Sequence, residues 1–428
     1  MDGLARLSDD ALVTRLQRAA VSYLIEYANP DTGLVADTSR KGSPCSIAVV
    51  GFALSCYPIA VRNGWLCRAN AANRTLKILT FFSQSIQSSA ADATGYKGFY
   101  YHFLDMQTGK RVWQCELSLI DTALLIAGVL AAAGYFDGDG AERTIRQLAD
   151  ALYKRVDWRW AQNATAVLSQ GWKPECGFLR YCWEGYNEAL ILYVLGLGSP
   201  TFPLTPGAYA TWSLTYQWEN LLGQDVLYSG PLFTHLFSHA WIDFRGIRDA
   251  FMREKRSDYF KNTQAAIAVQ REYCERNPRL FKGYSRDFWG VTAGDGPGVE
   301  HLRENNRDQR FFGYMSRGVP YGPDDGTIAP WAMLASLPFA AHAALAGTRN
   351  LLDVYPVVCS QDRFSSGFNP TLQTGNARWI SAGWYGLDQG LLVMMIENDR
   401  TGMIWEIMKE CPYVRAGLKR AEFDGAWL

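Results

Sequence analysis

Apolar residues recur at helical spacing from one end of the chain to the other. The stretches fall at about 8–28, 45–64, 67–89, 115–134, 140–156, 184–197, 207–221, 240–254, 258–276, 330–351 and 388–410. The spacing predicts eleven helices and leaves room for a twelfth. Ser8 stands where the first needs an N-cap, and Gly198, Ser199 and Pro200 supply a stop after the sixth. Long loops rich in glycine and aromatic residues separate them, among them "ATGYKGFYYHFLDMQTGKRVW", "LSQGWKPECGFLRYCWEG", "NPRLFKGYSRDFWGVTAGDGPG" and "GYMSRGVPYGPDDGTIAP". In the first, Gln107 to Lys110 reads as the turn of a short hairpin, with Asp105 as a turn residue. Nothing alternates buried strands with helices as a parallel sheet would, and no low-complexity linker or charge run divides the chain. The pattern therefore predicts one all-α domain, an α/α toroid whose loops return to one end and line a cleft.

Composition narrows the partner. Lysine plus arginine equal aspartate plus glutamate at 42 each, so no net field recruits nucleic acid or an anionic membrane. Aromatic residues make up 14% of the 428, with 15 Trp and 22 Tyr, which suits stacking on sugar rings and equally suits a large aromatic core. The nine cysteines form no CxxC pair and read as separate small hydrophobes of a reducing compartment. "MDGLARLSDDALVTRLQRAAVSYLIEYANP" has acids in its first ten residues and amphipathic spacing afterwards, unlike a secretion signal. The expectation is a cytoplasmic protein, although a periplasmic or secreted form stripped of its leader would read the same way. No stretch is long enough to span a membrane without a break.

Carboxylates inside or beside the loops are the candidates for chemistry. Glu184 and Glu188 sit four residues apart before an apolar run, on one face of a helix if that helix begins near Glu184. Their plainer role is to complement the helix dipole. Trp172, Glu175, Trp183, Tyr186 and Asn187 surround them in sequence, and a carboxylate enclosed by aromatic surface loses hydration and gains pKa, as a general acid requires. Glu116 and Asp121 open another strongly apolar helix, where either also suits a cap. Asp388 opens the last long helix after Trp384 and Tyr385. His235 and His239 have i, i+4 spacing but no HExxH glutamate and no third ligand, so contact with substrate hydroxyls, together with Asp243 and Arg245, is expected rather than a metal. Asp287, Trp289 and Asp295 lie in one glycine-rich loop, Asp324 and Asp325 in another that lacks the ligand spacing of an EF-hand. Serine-hydrolase, P-loop and dinucleotide motifs are missing from the sequence.

Six blocks in consistent order, from about residue 8 to 410, resemble the bacterial glucoamylase-like proteins: "FYYHFLDMQTGKRVWQCELSLIDTALLIAG", "GWKPECGFLRYCWEGYNEALILYVLGLGSPTFPL", "FTHLFSHAWIDFRGIRDAFMRE", "GYSRDFWGVTAGDGP", "PYGPDDGTIAPWAMLASLPF" and "GLDQGLLVMMIEN". That group includes glycoside hydrolase family 144, whose members cleave β-1,2-glucan, and relatives linked to cyclic β-1,2-glucan synthesis. The resemblance implies an (α/α)6 toroid with a cleft on one face, no cofactor, and inverting hydrolysis of β-1,2-linked glucose. Departures are Cys176 and Cys182, where threonine and a non-cysteine residue are expected, and Asp399 where tyrosine is expected.

Inverting hydrolysis needs a protonated acid at the leaving oxygen and a base that activates water across the ring, with carboxylates roughly 6.5–9.5 Å apart. Glu188 is assigned as the acid and Asp388 as the base, with Asp121, Glu116 and Glu184 as alternatives for either role. Trp172, Trp183, Tyr186, Trp289, Trp384 and Tyr385 are expected to build sugar subsites. His239, Asp243, Arg245 and Asp287 are expected to bond hydroxyls, and Glu175, Asn187 and Asp325 complete the candidate substrate contacts. Two further readings remain open at this point: a β-1,2-glucosyl transglycosylase, and a non-catalytic glucan-binding protein on the same fold.

Overall fold

The computed structural model describes Leu4 and residues 6–304, 307–374 and 377–428. Its α-helices in chain order are α1 (Asp9–Glu26), α2 (Ile47–Arg62), α3 (Arg68–Gln84), α4 (Leu119–Tyr135), α5 (Ala141–Arg155), α6 (Trp158–Ala161), α7 (Leu190–Gly198), α8 (Ala208–Ser213), α9 (Ala250–Glu254), α10 (Tyr259–Arg276), α11 (Pro330–Ala335), α12 (Leu337–Val354), α13 (Gly386–Arg400), α14 (Met403–Lys409) and α15 (Pro412–Arg420). Amphipathic members such as α1, α3, α5 and α10 bury one stripe and form the outer layer. Those buried on nearly every side, α2, α4, α7, α11 and α13, form the inner ring. Neighbours pack in the order α13, α2, α4, α7 and again α11 against α13, while α1 packs on α13 and α2 to close the circle between the two ends of the chain. The result is an α/α toroid, and no strands close into a barrel among the described residues.

One inner position is not an α-helix. Two short 3₁₀ turns, Leu232–His235 and Ser238–Ala240, fill it, and Trp241 just after them reaches the centre of the ring, donating to Ser55 Oγ of α2 at 2.9 Å. The closest helix pair depends on glycine. A Cβ on Gly51 of α2 would lie 2.3 Å from the Leu124 carbonyl oxygen, and one on Gly128 of α4 would lie 2.0 Å from the Gly51 carbonyl oxygen, so only glycine allows these backbones to touch. The hydrophobic core runs without interruption from Leu12 to Phe423.

Several helices are shorter than periodicity predicts, for local reasons. The stretch expected as 184–197 is helical only from Leu190: Gly185 adopts a left-handed φ of +69°, and the Asn187 side chain accepts from the Ala189 N–H at 2.9 Å, an alternative to a helical turn. Glu184 and Glu188 therefore do not share a helix face. The stretch 240–254 becomes a loop through Gly246 and then the short α9, capped by Asp249. Within 207–221 only α8 is helical, and a hairpin of Trp218–Leu221 and Gln224–Leu227 follows. The last stretch, 388–410, breaks at Gly402 (φ +66°) into α13 and α14.

Strands gather around the α4 end of the ring. Five short ones at 95–96, 99–101, 117–118, 171–173 and 177–178 pair antiparallel in that order and lead directly into α4. On the far side, the loop after α1 is stitched to the entrance of α13: Thr38 bridges Tyr385, the Ser39 N–H donates to the Trp384 carbonyl at 2.9 Å, and the Gly386 N–H donates to the Asp37 carbonyl at 2.7 Å. No described helix is long and apolar enough to cross a membrane.

Candidate active site

The α4 entrance, the α13 entrance and the irregular chain before α7 open onto one trough of two adjoining chambers. The first, about 540 Å³, is lined by Asp37, Arg40, His102, Trp113, Tyr314, Tyr385 and Asp388, among others. The second, about 310 Å³, is lined by His102, Glu116, Asp121, Trp183, Glu188, Tyr314, Trp331 and Asp388, among others. His102, Tyr314, Leu387 and Asp388 belong to both.

Five carboxylates and one imidazole define its electrostatics. Glu188 follows the Gly185 turn and precedes α7, and burial, reinforced by the charge of Asp121, pushes its carboxyl up to about 7. Asp388 lies in the first turn of α13, with its Oδ2 buried and the Ser366 hydroxyl as a stabilising group. Burial raises it well above the usual carboxylate range, and the charges of Asp37 and Asp295 add to that. Asp37 is pushed up to about 6, chiefly by burial. Asp121 takes the Ser118 hydroxyl at 2.5 Å and gives its own N–H to Ser118 Oγ at 3.2 Å, a reciprocal cap that fixes the start of α4.

His102 stands on the strand side, its Nδ1 at 2.9 Å from Glu116 Oε1 and its Nε2 at 3.6 Å from Asp121 Oδ2. Burial favours the neutral ring, but Asp121, then Glu116 and Asp37, outweigh it and push His102 up to about 9, so the ring is an imidazolium at neutral pH. Burial likewise works to raise Glu116, and the His102 hydrogen bond and charge together hold it below its ordinary value. Donor atoms of His102, Glu116 and Asp121 lie within 4.8 Å of one another, close enough for a metal ion. The same three side chains also pair with one another directly, the His102 ring lying between the two carboxylates.

Of the residues singled out from sequence, Glu188, Asp388, Asp121, Glu116, Trp183 and Tyr385 meet in this trough. The others lie elsewhere. Glu184 is exposed, with its carbonyl accepting from Asn187, and lines neither chamber. Trp172 packs on Tyr96 and Trp160 within the strand layer, and Glu175 pairs with Arg111 at 2.6 Å. Tyr186 is buried among Tyr216, His235 and Tyr259. His239 is in the core, held by Thr263 and flanked by Phe244 and Phe339, where burial lowers it to about 3. Asp243 pairs with Arg245 and Lys409, and the Arg245 guanidinium lies over Trp405. Asp287 faces Arg271, Trp289 is fully buried, and Asp325 is locked to Arg317 at 2.7 Å. Trp384 is half-buried against Arg363.

Sequence reasoning passed over Asp37, Arg40, His102, Trp113 and Tyr314. A signal existed for His102 alone: one histidine between aromatic strand residues, fourteen before Glu116. Asp37 and Arg40 sit in a short loop with no feature to mark them, and they reach the trough only because that loop is stitched to α13.

A chain with this ring and trough is similar to several known proteins. An exo β-1,2-glucooligosaccharide sophorohydrolase (non-reducing end) of Parabacteroides distasonis is 26% identical over 453 residues, covering 97% of this chain. The chain spans 58% of that relative's length. A "putative glucoamylase" of Bacteroides uniformis superposes with a TM-score of 0.87 at 28% identity, covering 99% of each chain. The endo-β-1,2-glucanase of Chitinophaga pinensis, solved with sophorotriose and glucose, superposes with a TM-score of 0.86 at 25% identity, covering 99% of this chain and 100% of its own. The model of the glycoamylase family, described as "Putative glucoamylase", matches residues 180–412, a span that takes in both Glu188 and Asp388, and the chain belongs to that family.

Proposed function

We propose that this protein is an inverting glycoside hydrolase acting on β-1,2-linked gluco-oligosaccharides. The observation that carries the reading is the meeting of Glu188 and Asp388, two hundred residues apart in sequence, in one chamber that burial makes favourable to a protonated carboxyl. The names of the two β-1,2-glucan-cleaving relatives support the choice of linkage.

In this reading Glu188 donates its proton to the glycosidic oxygen as the bond from that oxygen to the anomeric carbon breaks. A water on the opposite face of the sugar attacks the same carbon and gives its proton to Asp388. A buried carboxylate that holds protons tightly is also a strong acceptor once ionised, so the raised pKa of Asp388 favours the transfer. Ion pairing with His102 keeps Glu116 and Asp121 available as hydrogen-bond acceptors for sugar hydroxyls.

The test is incubation with β-1,2-, β-1,3-, β-1,4- and α-1,4-glucans, with product sizes resolved over time and the first-formed anomer read by NMR. Cleavage restricted to β-1,2 linkages with an α-anomeric first product is expected. A β-anomeric first product overturns the inverting assignment, and products longer than the substrate identify transfer.

A further inference from the structure

Exposed tyrosines on a protein surface are ordinary, but Tyr314 is exposed in an unusual place. Sixty-four per cent of its surface is accessible, yet it stands inside the trough and contributes to both chambers at their junction. One side of its ring is turned to Tyr385, with centroids 6.5 Å apart and planes 27° apart. Tyr314 and Asp388 are among the residues that line both chambers.

The loop that carries it is held with unusual firmness. Residues 315–316 pair with 293–294. Beneath them Arg317 is fully buried and gripped by Asp325 through two hydrogen bonds of 2.7 and 2.9 Å. The same guanidinium donates to the carbonyls of Phe312 and Gly313 at 3.2 and 3.1 Å and of Gly294 at 3.1 Å, and Asp325 Oδ2 accepts the Phe312 N–H at 3.0 Å. The backbone on both sides of Tyr314 is thus pinned to one ion pair. Burying such a pair is costly in desolvation and adds little net stability, so the fixed geometry of its surroundings is the benefit in view. An uncovered aromatic residue whose backbone is already fixed has less conformational freedom to lose when a ligand arrives.

We propose that Tyr314 is a substrate-positioning residue that seats the reacting glucosyl unit over Asp388, its ring against the apolar face of the sugar and its O–H donating to a hydroxyl of the same unit. This rests on the glycosidase reading of the trough. The phenol remains a donor across neutral pH, since an ordinary tyrosine ionises near 10 and the nearby charges of Asp388 and Asp37 oppose its ionisation further. The buried Arg317 and Asp325 act through it by fixing its loop.

The experiment compares Tyr314→Phe and Tyr314→Ala, each measured for turnover of β-1,2-linked gluco-oligosaccharides of two to five units, and each combined with Glu188→Gln for calorimetric binding of the same series. Because the side chain is uncovered, both variants are expected to melt with the parent. Tyr314→Ala is expected to weaken binding about tenfold, the worth of one aromatic stacking contact. Tyr314→Phe is expected to bind within about threefold of the parent but to lower kcat about tenfold through loss of one hydrogen bond. If Tyr314→Ala binds and turns over as the parent does, or if Tyr314→Phe loses as much binding as Tyr314→Ala, the assignment falls while the glycosidase reading stands. If the unaltered protein neither binds nor cleaves any glucan, both fall together.

Discussion

Glu188→Gln removes one proton from the trough and leaves its shape unchanged, so it isolates the acid. The structure supplies the magnitude. A glutamate at its ordinary value of 4.5 is about 0.3% protonated at pH 7, whereas one at about 7 is about half protonated, so burial raises the population of usable acid roughly 160-fold. General acid catalysis contributes about 10²–10⁴ in rate, equivalent to about 2.7–5.5 kcal/mol of barrier. For the glutamine variant we expect kcat on a β-1,2-linked trisaccharide to fall by that factor. KM should stay within about threefold, because glutamine keeps the volume and still hydrogen-bonds. The pH profile separates this from general damage: wild-type kcat/KM should fall on the alkaline side with an apparent pKa of about 7, and that limb should be missing from the variant. The reasoning is refuted if Glu188→Gln retains more than about a tenth of wild-type turnover, or if Glu184→Gln, on the exposed turn outside the trough, causes the larger loss.

The same groups make predictions about stability. Glu188 has a folded value near 7 above an unfolded value near 4.5, so the stability it contributes is full below 4.5 and is lost as pH rises through 7; the melting temperature of Glu188→Gln relative to wild type should climb across that window, and a flat difference would show that the carboxyl is not desolvated. His102 is held near 9 above an unfolded 6.5, so its contribution is full below 6.5 and is lost as pH rises through 9, and His102→Gln should abolish that decline in a series of thermal melts. Asp325→Ala strands the fully buried Arg317 charge and should cost about 3–5 kcal/mol in urea denaturation; a loss below about 1 kcal/mol would mean that water reaches the pair.

What could be read from the chain beforehand follows from which interactions are local. Helical periodicity located the ring because an inner helix is apolar over most of its surface and an outer one on a single stripe, and both signatures lie within one segment. It misjudged 184–197 and 240–254 for the complementary reason: Gly185, Asn187 and Gly246 impose turns through backbone and side-chain chemistry that a hydrophobic pattern does not register. Glu188, Asp121 and Asp388 were legible as candidates because each stands at the entrance to an apolar helix, and in a toroid the entrances of inner helices face one end. His239, Asp243, Trp289 and Asp325 share the same polar and aromatic loop setting in sequence, yet they serve the packing beneath the trough. Nothing local distinguishes a polar residue that supports a loop from one that the loop presents.

The Asp388 side of the trough is the seam of the ring. Asp37 precedes α2 and Asp388 opens α13, and they come together because the first and last inner helices must meet for the circle to close. Closure is secured at depth by Gln17 of α1 donating to Glu397 and to the Val393 carbonyl of α13, and at the rim by the Gly386 N–H to the Asp37 carbonyl. Completing the fold therefore brings two buried carboxyls onto one wall, where the charge of Asp37 adds to the burial that raises Asp388. The Glu188 side is built differently, from one strand and two adjacent inner helix entrances, where His102 stands within reach of Glu116 and Asp121. Across the trough the two walls thus differ in charge balance: one holds an ion-paired triad, the other crowded carboxyls with Arg40 drawn away to Asp295. In the proposed inverting reading, the water activator would stand on the wall of Asp37 and Asp388, and the proton donor, Glu188, where burial and then the charge of Asp121 keep its proton in place.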